Sequence, residues 1–156
     1  MSHEYDIRTG TRVGSAFWYR RPLNAFDDAE WEALCDGCAK CCVHKLEDAD
    51  TGEVYFTNVR CRLLDPTTCR CSDYAHRNQL VSDCLTLTPA NLSACGWLPR
   101  TCAYRRLAEG IDLPDWHPLV SGDPMSVVRS GNSVCGRTVP ESTADGLEQH
   151  IVTWIR

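Results

Sequence analysis

Four cysteines stand within eight residues in the segment CDGCAKCC, which runs from Cys35 to Cys42. Cys35, Cys38 and Cys41 are each separated by two residues, and Cys42 follows Cys41 directly. Disulfides, a metal centre, a catalytic thiol or a chance grouping in a buried core would each account for such crowding. The amino-acid composition and the positions of the remaining cysteines help to choose among these alternatives.

The composition is that of an ordinary globular protein. The 156 residues are 43% apolar and 24% charged, which suits one domain with a sizeable core. The formal net charge of −5 argues against a nucleic-acid partner, because such binding needs a basic face. No apolar run is long enough to span a membrane, so we expect no membrane association.

The compartment decides how eleven cysteines are interpreted. The N-terminal segment is polar and charged and lacks the apolar region of a signal peptide, which predicts a cytoplasmic protein. Thiols stay reduced there, and an odd number of cysteines does not close into internal pairs. Disulfides are therefore the less favoured explanation.

Nine cysteines in turn-like, polar surroundings are the predicted metal ligands. This number exceeds the four that one tetrahedral site needs, which indicates two centres or one polynuclear centre. Cys95 and Cys135 are interpreted instead as small buried hydrophobes. The predicted ligands are Cys35, Cys38, Cys41, Cys42, Cys61, Cys69, Cys71, Cys84 and Cys102.

The spacing suits both zinc and iron. Two sulfurs separated by two residues can bind one cation from a tight loop, and Gly37 lets the backbone turn without a Cβ clash. Ferredoxins use the same repeated spacing around an iron–sulfur cluster, although their usual continuation to Cys-Pro is absent here. The cofactor is therefore an iron–sulfur cluster or zinc, with both left open.

Basic residues flank the cysteines, as a cluster of thiolates requires. A cation nearby lowers the pKa of a thiol and compensates the negative charge of a thiolate-bound centre. Zinc with four thiolates and a four-iron cluster carry the same net charge, so this pattern does not separate them. The residues concerned are Lys40, Lys45, Arg60, Arg62, Arg70, Arg100 and Arg105.

The pattern of apolar and turn residues predicts a small, loop-rich α+β single domain organised around the metal centre or centres. Residues 1–25 are interpreted as an N-terminal arm and residues 26–156 as the cysteine-cluster domain. Asp27 and Glu30 predict a capping box at the start of a helix. We also expect a strand over 54–59, a turn in DPTTCRC (65–71), helices over 73–80 and 101–110, a hairpin over 126–139 and a terminal amphipathic helix over 145–156.

The cysteine pattern resembles a bacterial family whose domain is described as zinc- or iron-chelating, and within it the YcgN-type subgroup. The segments that carry the resemblance are DAEWEALCDGCAKCC, TCRCSDY and WLPRTCAYRRLAEGIDLPDWHPLVSG, in that order, within residues 27–122. The resemblance implies the same nine cysteines as family positions and leaves Cys95 and Cys135 outside them. A related domain in flagellin lysine N-methylases implies iron–sulfur chemistry by analogy only.

Three functions compete. The first is a cytosolic metal-binding protein without an assigned role or partner. The second is a metal-dependent or redox enzyme acting on a protein or small molecule, because Cys41 and Cys42 offer a surplus thiol beside polar residues; these are His44, Glu47, Asp48 and Asp50. No nucleotide-binding or zinc-protease motif supports the second. A nucleic-acid-binding zinc module is third, since it calls for two separated Cys-x-x-Cys pairs with a basic helix, whereas this spacing occurs only within residues 35–41.

Overall fold

The structure is a computed structural model that describes residues 17–19 and 21–155. The described chain falls into two compact units, each built from two segments. The first unit contains residues up to Asp36 together with Thr88–Asn132, and the second contains Gly37–Leu87 and the residues from Ser133 onward. Most of the predicted N-terminal arm lies outside the described residues.

Short helices and two small antiparallel sheets make up the described chain, in agreement with the α+β prediction. The helices are α1 (Asp28–Ala33), α2 (Arg77–Leu80), α3 (Ala103–Ala108), α4 (Pro118–Ser121) and α5 (Ser126–Arg129). The strands are β1 (Val43–Glu47), β2 (Val54–Arg60), β3 (Leu64–Asp65) and β4 (Arg70–Cys71). Single 3-10 turns cover Leu23–Ala25, Lys40–Cys42, Leu92–Ala94, Glu141–Thr143 and Leu147–His150.

The first unit begins with the predicted capping box. The Asp27 carboxylate accepts a hydrogen bond from the Glu30 amide at 2.8 Å, and the Glu30 carboxylate accepts one from the Asp27 amide at 3.1 Å. Glu30 also pairs with the Arg21 guanidinium at 2.6 Å, which compensates its charge although it is only 8% exposed. These bonds satisfy two amides that a helix start leaves without partners.

The Asp27 cap provides a direct test of this unit. Because Ala cannot accept the hydrogen bond, Asp27→Ala lowers the free energy of unfolding by about 1 kcal/mol. Asp28→Ala is the matched control, since it removes a carboxylate from the same helical turn without removing the cap. Denaturant unfolding measures both, and equal losses would contradict a capping role for Asp27.

In the second unit, β1 and β2 form an antiparallel ladder above an apolar core. Leu46 lies opposite Tyr55 and Glu47 opposite Val54, while a bulge interrupts the ladder between Val43 and Lys45. The core consists of apolar side chains from the cysteine motif, from the strands and from the residues after Asn132, namely Ala39, Val43, Phe56, Leu64, Val134 and Ile155. Cys42 packs against this core, so the cysteine motif is attached to a rigid base.

The predicted hairpin over 126–139 is wrong. Residues Ser126–Arg129 form α5 instead, and Gly131 ends it with a positive φ of 78° and an amide hydrogen bond to the Val128 carbonyl. A glycine in this conformation closes a helix as readily as it turns a hairpin, so the Gly-Asn pair alone did not distinguish them.

The predicted C-terminal amphipathic helix is also wrong. After the 3-10 turn Leu147–His150, the chain is extended: Ile151 forms an antiparallel bridge with Thr57, and the Val152 amide donates to the Phe56 carbonyl at 2.9 Å. The open backbone groups of β2 supply hydrogen bonds that the helical pattern does not reveal. Similarly, helix is found only over Arg77–Leu80 within the predicted 73–80 segment.

Within residues 17–19 and 21–155, every helix is too short or too polar to cross a membrane.

Candidate metal centre

The β1–β2 ladder brings two distant parts of the cysteine pattern together. Val43 is opposite Arg60 in the register, so the residues just beyond the ladder, Cys42 and Cys61, become neighbours. The Cys61 amide donates to the Cys42 carbonyl at 2.8 Å and fixes this arrangement. Cys61 has no other cysteine close to it in the sequence. It lies beside the CDGCAKCC motif because the antiparallel pairing of β1 and β2 extends one residue beyond the Val43–Arg60 pair.

The second sheet adds Cys71 to the same region of this unit. Leu64 of β3 pairs with Cys71 of β4, and the Leu64 amide donates to the Cys61 carbonyl at 2.9 Å. The connecting turn is built on Asp65, whose carboxylate accepts from the amides of Thr67 and Thr68 at 2.7 and 3.2 Å. The predicted DPTTCRC turn is thus confirmed, and it carries Cys71 toward Cys61.

The loop after α2 supplies Cys84. Thr86 anchors this loop, because its hydroxyl accepts a hydrogen bond from the Asn78 amide group at 2.7 Å. The Arg62 guanidinium donates to the Leu80 carbonyl and ties the same region to the residue that follows Cys61. The Cys84 amide donates to the Val81 carbonyl at 3.1 Å, which closes the turn that presents its thiol.

Five thiols of the second unit interact electrostatically, and we refer to them as the thiol cluster: Cys41, Cys42, Cys61, Cys71 and Cys84. A hydrogen bond with the Cys41 side chain, burial, and the charges of Cys41 and Cys61 raise the pKa of Cys42 far above its ordinary value. Burial raises the pKa of Cys84, the charge of Arg77 opposes this shift, and the charges of Cys61, Cys71 and Cys41 add smaller contributions to it. Negative charge on neighbouring thiols therefore disfavours the ionisation of Cys42 and Cys84.

Lys45 of β1 lies among these thiols. Its ammonium donates to the carbonyls of Cys41 and Val43, both at 2.9 Å, and lies 5.5 Å from the centre of the Phe56 ring. Burial lowers the pKa of Lys45, and negative charge on four members of the thiol cluster acts in the opposite direction. Lys45 is thus one of the basic residues near cysteines in the sequence that also interacts electrostatically with the thiol cluster in the structure.

The backbone of the motif is tightly curled. Gly37 has φ of 75° and Ala39 has φ of 60°, and the Cys42 amide donates back to the Ala39 carbonyl at 2.9 Å. The expectation that Gly37 permits a turn is confirmed. A left-handed alanine is costly and is retained where the surroundings impose it, often at functional sites. The Cys38 carbonyl accepts from the Val134 amide at 3.1 Å, which holds the curl against the core.

The described side chains do not form a completed coordination sphere. Among residues 17–19 and 21–155, no three Cys, His, Asp or Glu side chains are placed so that they could hold one metal ion. The structure therefore shows a neighbourhood of thiols over an apolar core, and it does not show a fold organised around a metal. Cys35 and Cys102 lie in the first unit, Cys35 just after α1 and Cys102 just before α3.

Cys69 and Cys135 differ from their predicted roles, because their sulfurs are joined in a disulfide. Cys69 was predicted as a ligand and Cys135 as a solitary buried residue. In this form Cys69 has no thiolate to offer a metal, whereas the other eight predicted ligands are not disulfide-bonded. The pair is separated by 66 residues, so local spacing gave no sign of it. Cys95 is 3% exposed, which agrees with its interpretation as a small buried residue.

The sequence did not single out Glu141, which pairs with His44. Its carboxylate lies 2.7 Å from the His44 Nε2 atom and also accepts from the Arg62 amide at 3.1 Å. The hydrogen bond with His44 holds the pKa of Glu141 below its ordinary value. The two residues line a cleft of about 270 Å³ with Val59 and Leu147. A contact between residues 97 positions apart has no local sequence signal.

The donor set fits a thiophilic cation. Zinc and iron–sulfur clusters are bound by thiolates, the thiol cluster offers five sulfur donors in the second unit, and positive charge favours the ionised form of a thiol. A metal supplies that charge and shifts thiols to the ligating form. The fit between the thiol cluster and such a cation depends on two properties of the cluster, namely its sulfur donors and the electrostatic interactions among its thiols.

Comparison with known proteins identifies the family. Residues 34–103 match the model of the CxxCxxCC family, described as "Putative zinc- or iron-chelating domain". A UPF0260 protein of Parvibaculum lavamentivorans is 58% identical over 146 residues, which cover 92% of this chain and 95% of that protein. A UPF0260 protein of Cellvibrio japonicus is 54% identical over 141 residues, covering 89% and 96%. The chain belongs to the UPF0260 family.

Membership in the UPF0260 family confirms the resemblance seen in the cysteine pattern. The matched range, 34–103, contains all nine predicted ligands and Cys95, and it ends before Cys135. The disulfide therefore joins a cysteine inside the family domain, Cys69, to one outside it. No solved structure matches the chain.

Proposed function

We propose that this UPF0260 protein is a cytoplasmic metal-binding protein whose thiol cluster holds an iron–sulfur centre, with zinc as the alternative occupant. The observation that carries the proposal is that strand pairing and backbone hydrogen bonds bring Cys42, Cys61 and Cys71 into one region of the second unit. The repeated Cys-x-x-Cys spacing favours the iron–sulfur form. A zinc ion would stabilise the fold, whereas an iron–sulfur centre would also allow electron transfer.

The proposed ligands are drawn first from the thiol cluster and from Cys38, which belongs to the same curled motif. Cys35 and Cys102 remain predicted ligands on the basis of spacing and of the family resemblance. A reducing compartment is part of the proposal, because dense thiolates persist where disulfides are reduced. Reduction of the Cys69–Cys135 bond there would return Cys69 to the predicted set.

Purification without oxygen tests this proposal. Zinc, iron and acid-labile sulfide are measured together with visible absorbance. Iron with a matching amount of sulfide supports the iron–sulfur form, and about one zinc ion or more per chain without sulfide supports the zinc form. A folded protein that contains neither metal, and that takes up neither after reconstitution, would contradict the proposal.

A further inference from the structure

The Cys69–Cys135 disulfide joins two turns of the second unit, and each turn is closed by a hydrogen bond of its own. Cys69 ends the turn that precedes β4, where its amide donates to the Asp65 carbonyl at 2.8 Å. Cys135 lies at the tip of the other turn, in which the Arg137 amide donates to the Val134 carbonyl at 2.9 Å. Backbone hydrogen bonds therefore position both cysteines, in addition to the bond between their sulfurs.

The chain on both sides of Cys135 is also attached to the rest of the second unit. On one side the Val134 amide donates to the Cys38 carbonyl at 3.1 Å. On the other side Val139 pairs with β2, because its amide donates to a β2 carbonyl at 2.9 Å and its carbonyl accepts from a β2 amide at 3.0 Å. None of these bonds involves a sulfur, so they keep Cys135 close to Cys69 when the disulfide is open.

The two cysteines differ in their access to solvent. Cys69 is 8% exposed, whereas Cys135 is half-buried and precedes the exposed Gly136. Gly136 has φ of 74°, and no atom of the described residues lies within 4 Å of the point that a Cβ on it would occupy. A dissolved reagent therefore reaches Cys135 more readily than Cys69, and access of this kind governs which thiol of a pair reacts first.

We propose that Cys69 and Cys135 are a reversible thiol–disulfide pair that is oxidised by a small disulfide of the glutathione class and reduced by the corresponding thiol. This inference requires no metal and is independent of the proposed function. It assigns Cys135 as the thiol that reacts with the reagent and Cys69 as the thiol that completes the exchange.

The exchange proceeds in two balanced steps. The Cys135 thiol loses its proton, its sulfur attacks one sulfur of glutathione disulfide, and the first glutathione leaves and takes up a proton to become a thiol. The Cys69 thiol then loses its proton and attacks the Cys135 sulfur of the mixed disulfide, which releases the second glutathione in the same way. Two protein thiols are oxidised to one disulfide, and one glutathione disulfide is reduced to two glutathione molecules.

The fold favours closure of this pair over other pairings. The Cα atoms of Cys69 and Cys135 are 5.5 Å apart, within the usual range of about 4.4–6.8 Å for bonded cysteines. In the unfolded chain the same residues are separated by 66 positions, and closing so long a loop is entropically costly. The thiol cluster contains no disulfide in the structure that holds this bond closed. Cys69 and Cys135 are therefore expected to join before any two members of the thiol cluster.

The test exposes the full-length, fully reduced protein to glutathione disulfide without oxygen. Free thiols are then alkylated, and cross-linked peptides are mapped by mass spectrometry. We expect the Cys69–Cys135 linkage to be at least about fivefold more abundant than any other internal linkage. In the matched control, the same treatment in denaturant lowers its abundance at least about fivefold, because the two thiols are no longer held together. Excess reduced glutathione, added after closure in the folded protein, opens the bond again.

Two serine variants test the order of the steps. Cys69→Ser removes the second thiol, so the exchange stops at a glutathione adduct on Cys135. Cys135→Ser leaves only the buried Cys69, and the adduct there is expected to be at least about fivefold less abundant. Equal adducts in the two variants would overturn the assignment of Cys135 as the thiol that reacts first.

The wild-type measurements decide the inference even if a serine variant fails to fold. A folded, reduced protein that does not form the Cys69–Cys135 linkage would overturn it, as would a linkage that excess reduced glutathione leaves closed. Circular dichroism of the wild type before and after reduction provides a further check, because loss of the fold on reduction would contradict the positioning of the pair by backbone hydrogen bonds. The readout is a cross-link and not metal content, so failure here leaves the proposed function standing.

Discussion

Replacing Cys61 with serine lowers the metal content of the purified protein at least about tenfold. Cys61 lies at the end of the β1–β2 ladder, directly beside Cys42, and its charge acts on Cys42, Cys84 and Lys45. The hydroxyl of serine stays protonated and is a poor ligand for zinc or for iron–sulfur clusters. Metal analysis after oxygen-free purification measures the loss.

Cys95→Ser is the matched control for this substitution. It makes the same change of sulfur to oxygen at a buried cysteine of the first unit. The Cys95 thiol donates to the Asn91 carbonyl at 3.4 Å, a bond that a serine hydroxyl can retain. Metal content therefore stays at the wild-type level. Full metal content in Cys61→Ser, or equal losses in the two variants, would contradict the assignment of Cys61 to the centre.

A metal that contributes to folding also makes Cys61→Ser less stable, so stability must be separated from binding. Thermal unfolding of wild type and variant, each with its metal removed by a chelator, provides the separation. The two metal-free proteins should unfold at similar temperatures, because serine is nearly isosteric with cysteine. The difference should appear only when metal is present.

Local sequence signals predicted those features that depend on neighbouring residues. The capping box at Asp27 needs only two residues three positions apart, and the turn at Asp65 needs only its own side chain. The strand over Val54–Arg60 and the positive φ of Gly37 follow in the same way. Each of these features depends either on a hydrogen-bond partner a few residues away in the sequence or on the backbone conformation that the residue type itself prefers.

Features fixed by distant partners could not be predicted. Cys69 and Cys135 are joined across 66 residues, and Glu141 reaches His44 across 97. The C-terminal segment has a helical apolar pattern, yet its backbone pairs with β2, because a sheet edge offers it hydrogen bonds that the pattern cannot show. The grouping of Cys61 with Cys42 depends equally on strand register, which no cysteine spacing encodes.

His117 is the second position at which a large effect is expected, because it is fully buried in the first unit. Its Nε2 atom lies 2.8 Å from the Leu34 carbonyl, and its Nδ1 atom accepts a hydrogen bond from the Leu119 amide at 3.0 Å. The neutral ring with its proton on Nε2 satisfies both bonds. The imidazole thus caps α4 and holds the end of α1 at the same time.

His117→Ala lowers the free energy of unfolding by about 3–5 kcal/mol, because it leaves a cavity and strands a buried carbonyl and a buried amide. His117→Asn keeps an oxygen that can cap the Leu119 amide and loses only the bond to Leu34, so its loss is about 1–3 kcal/mol. Denaturant unfolding at neutral pH measures both. Equal losses in the two variants would show that the capping bond contributes nothing.

The stabilising effect of His117 also depends on pH. Burial lowers the pKa of His117, opposed by its bond to Leu34 and by the charge of Asp36. The unfolded chain, whose histidine titrates near 6.5, takes up a proton as the pH falls through that value, while the folded ring stays neutral. Stability is therefore fully present above about pH 6.5 and declines below it, by up to about 1.4 kcal/mol per pH unit.

The difference between the wild-type and His117→Asn stability curves isolates this contribution, because the other histidines are common to both proteins. The difference should be constant above about pH 7 and should shrink as the pH falls below about 6.5, since only the wild type carries the buried imidazole. Protonation of the folded ring would remove the acceptor for the Leu119 amide, which is the physical reason that the neutral form is retained. A difference that is independent of pH between 5 and 8, roughly the range over which histidine titrates, would contradict the buried neutral state.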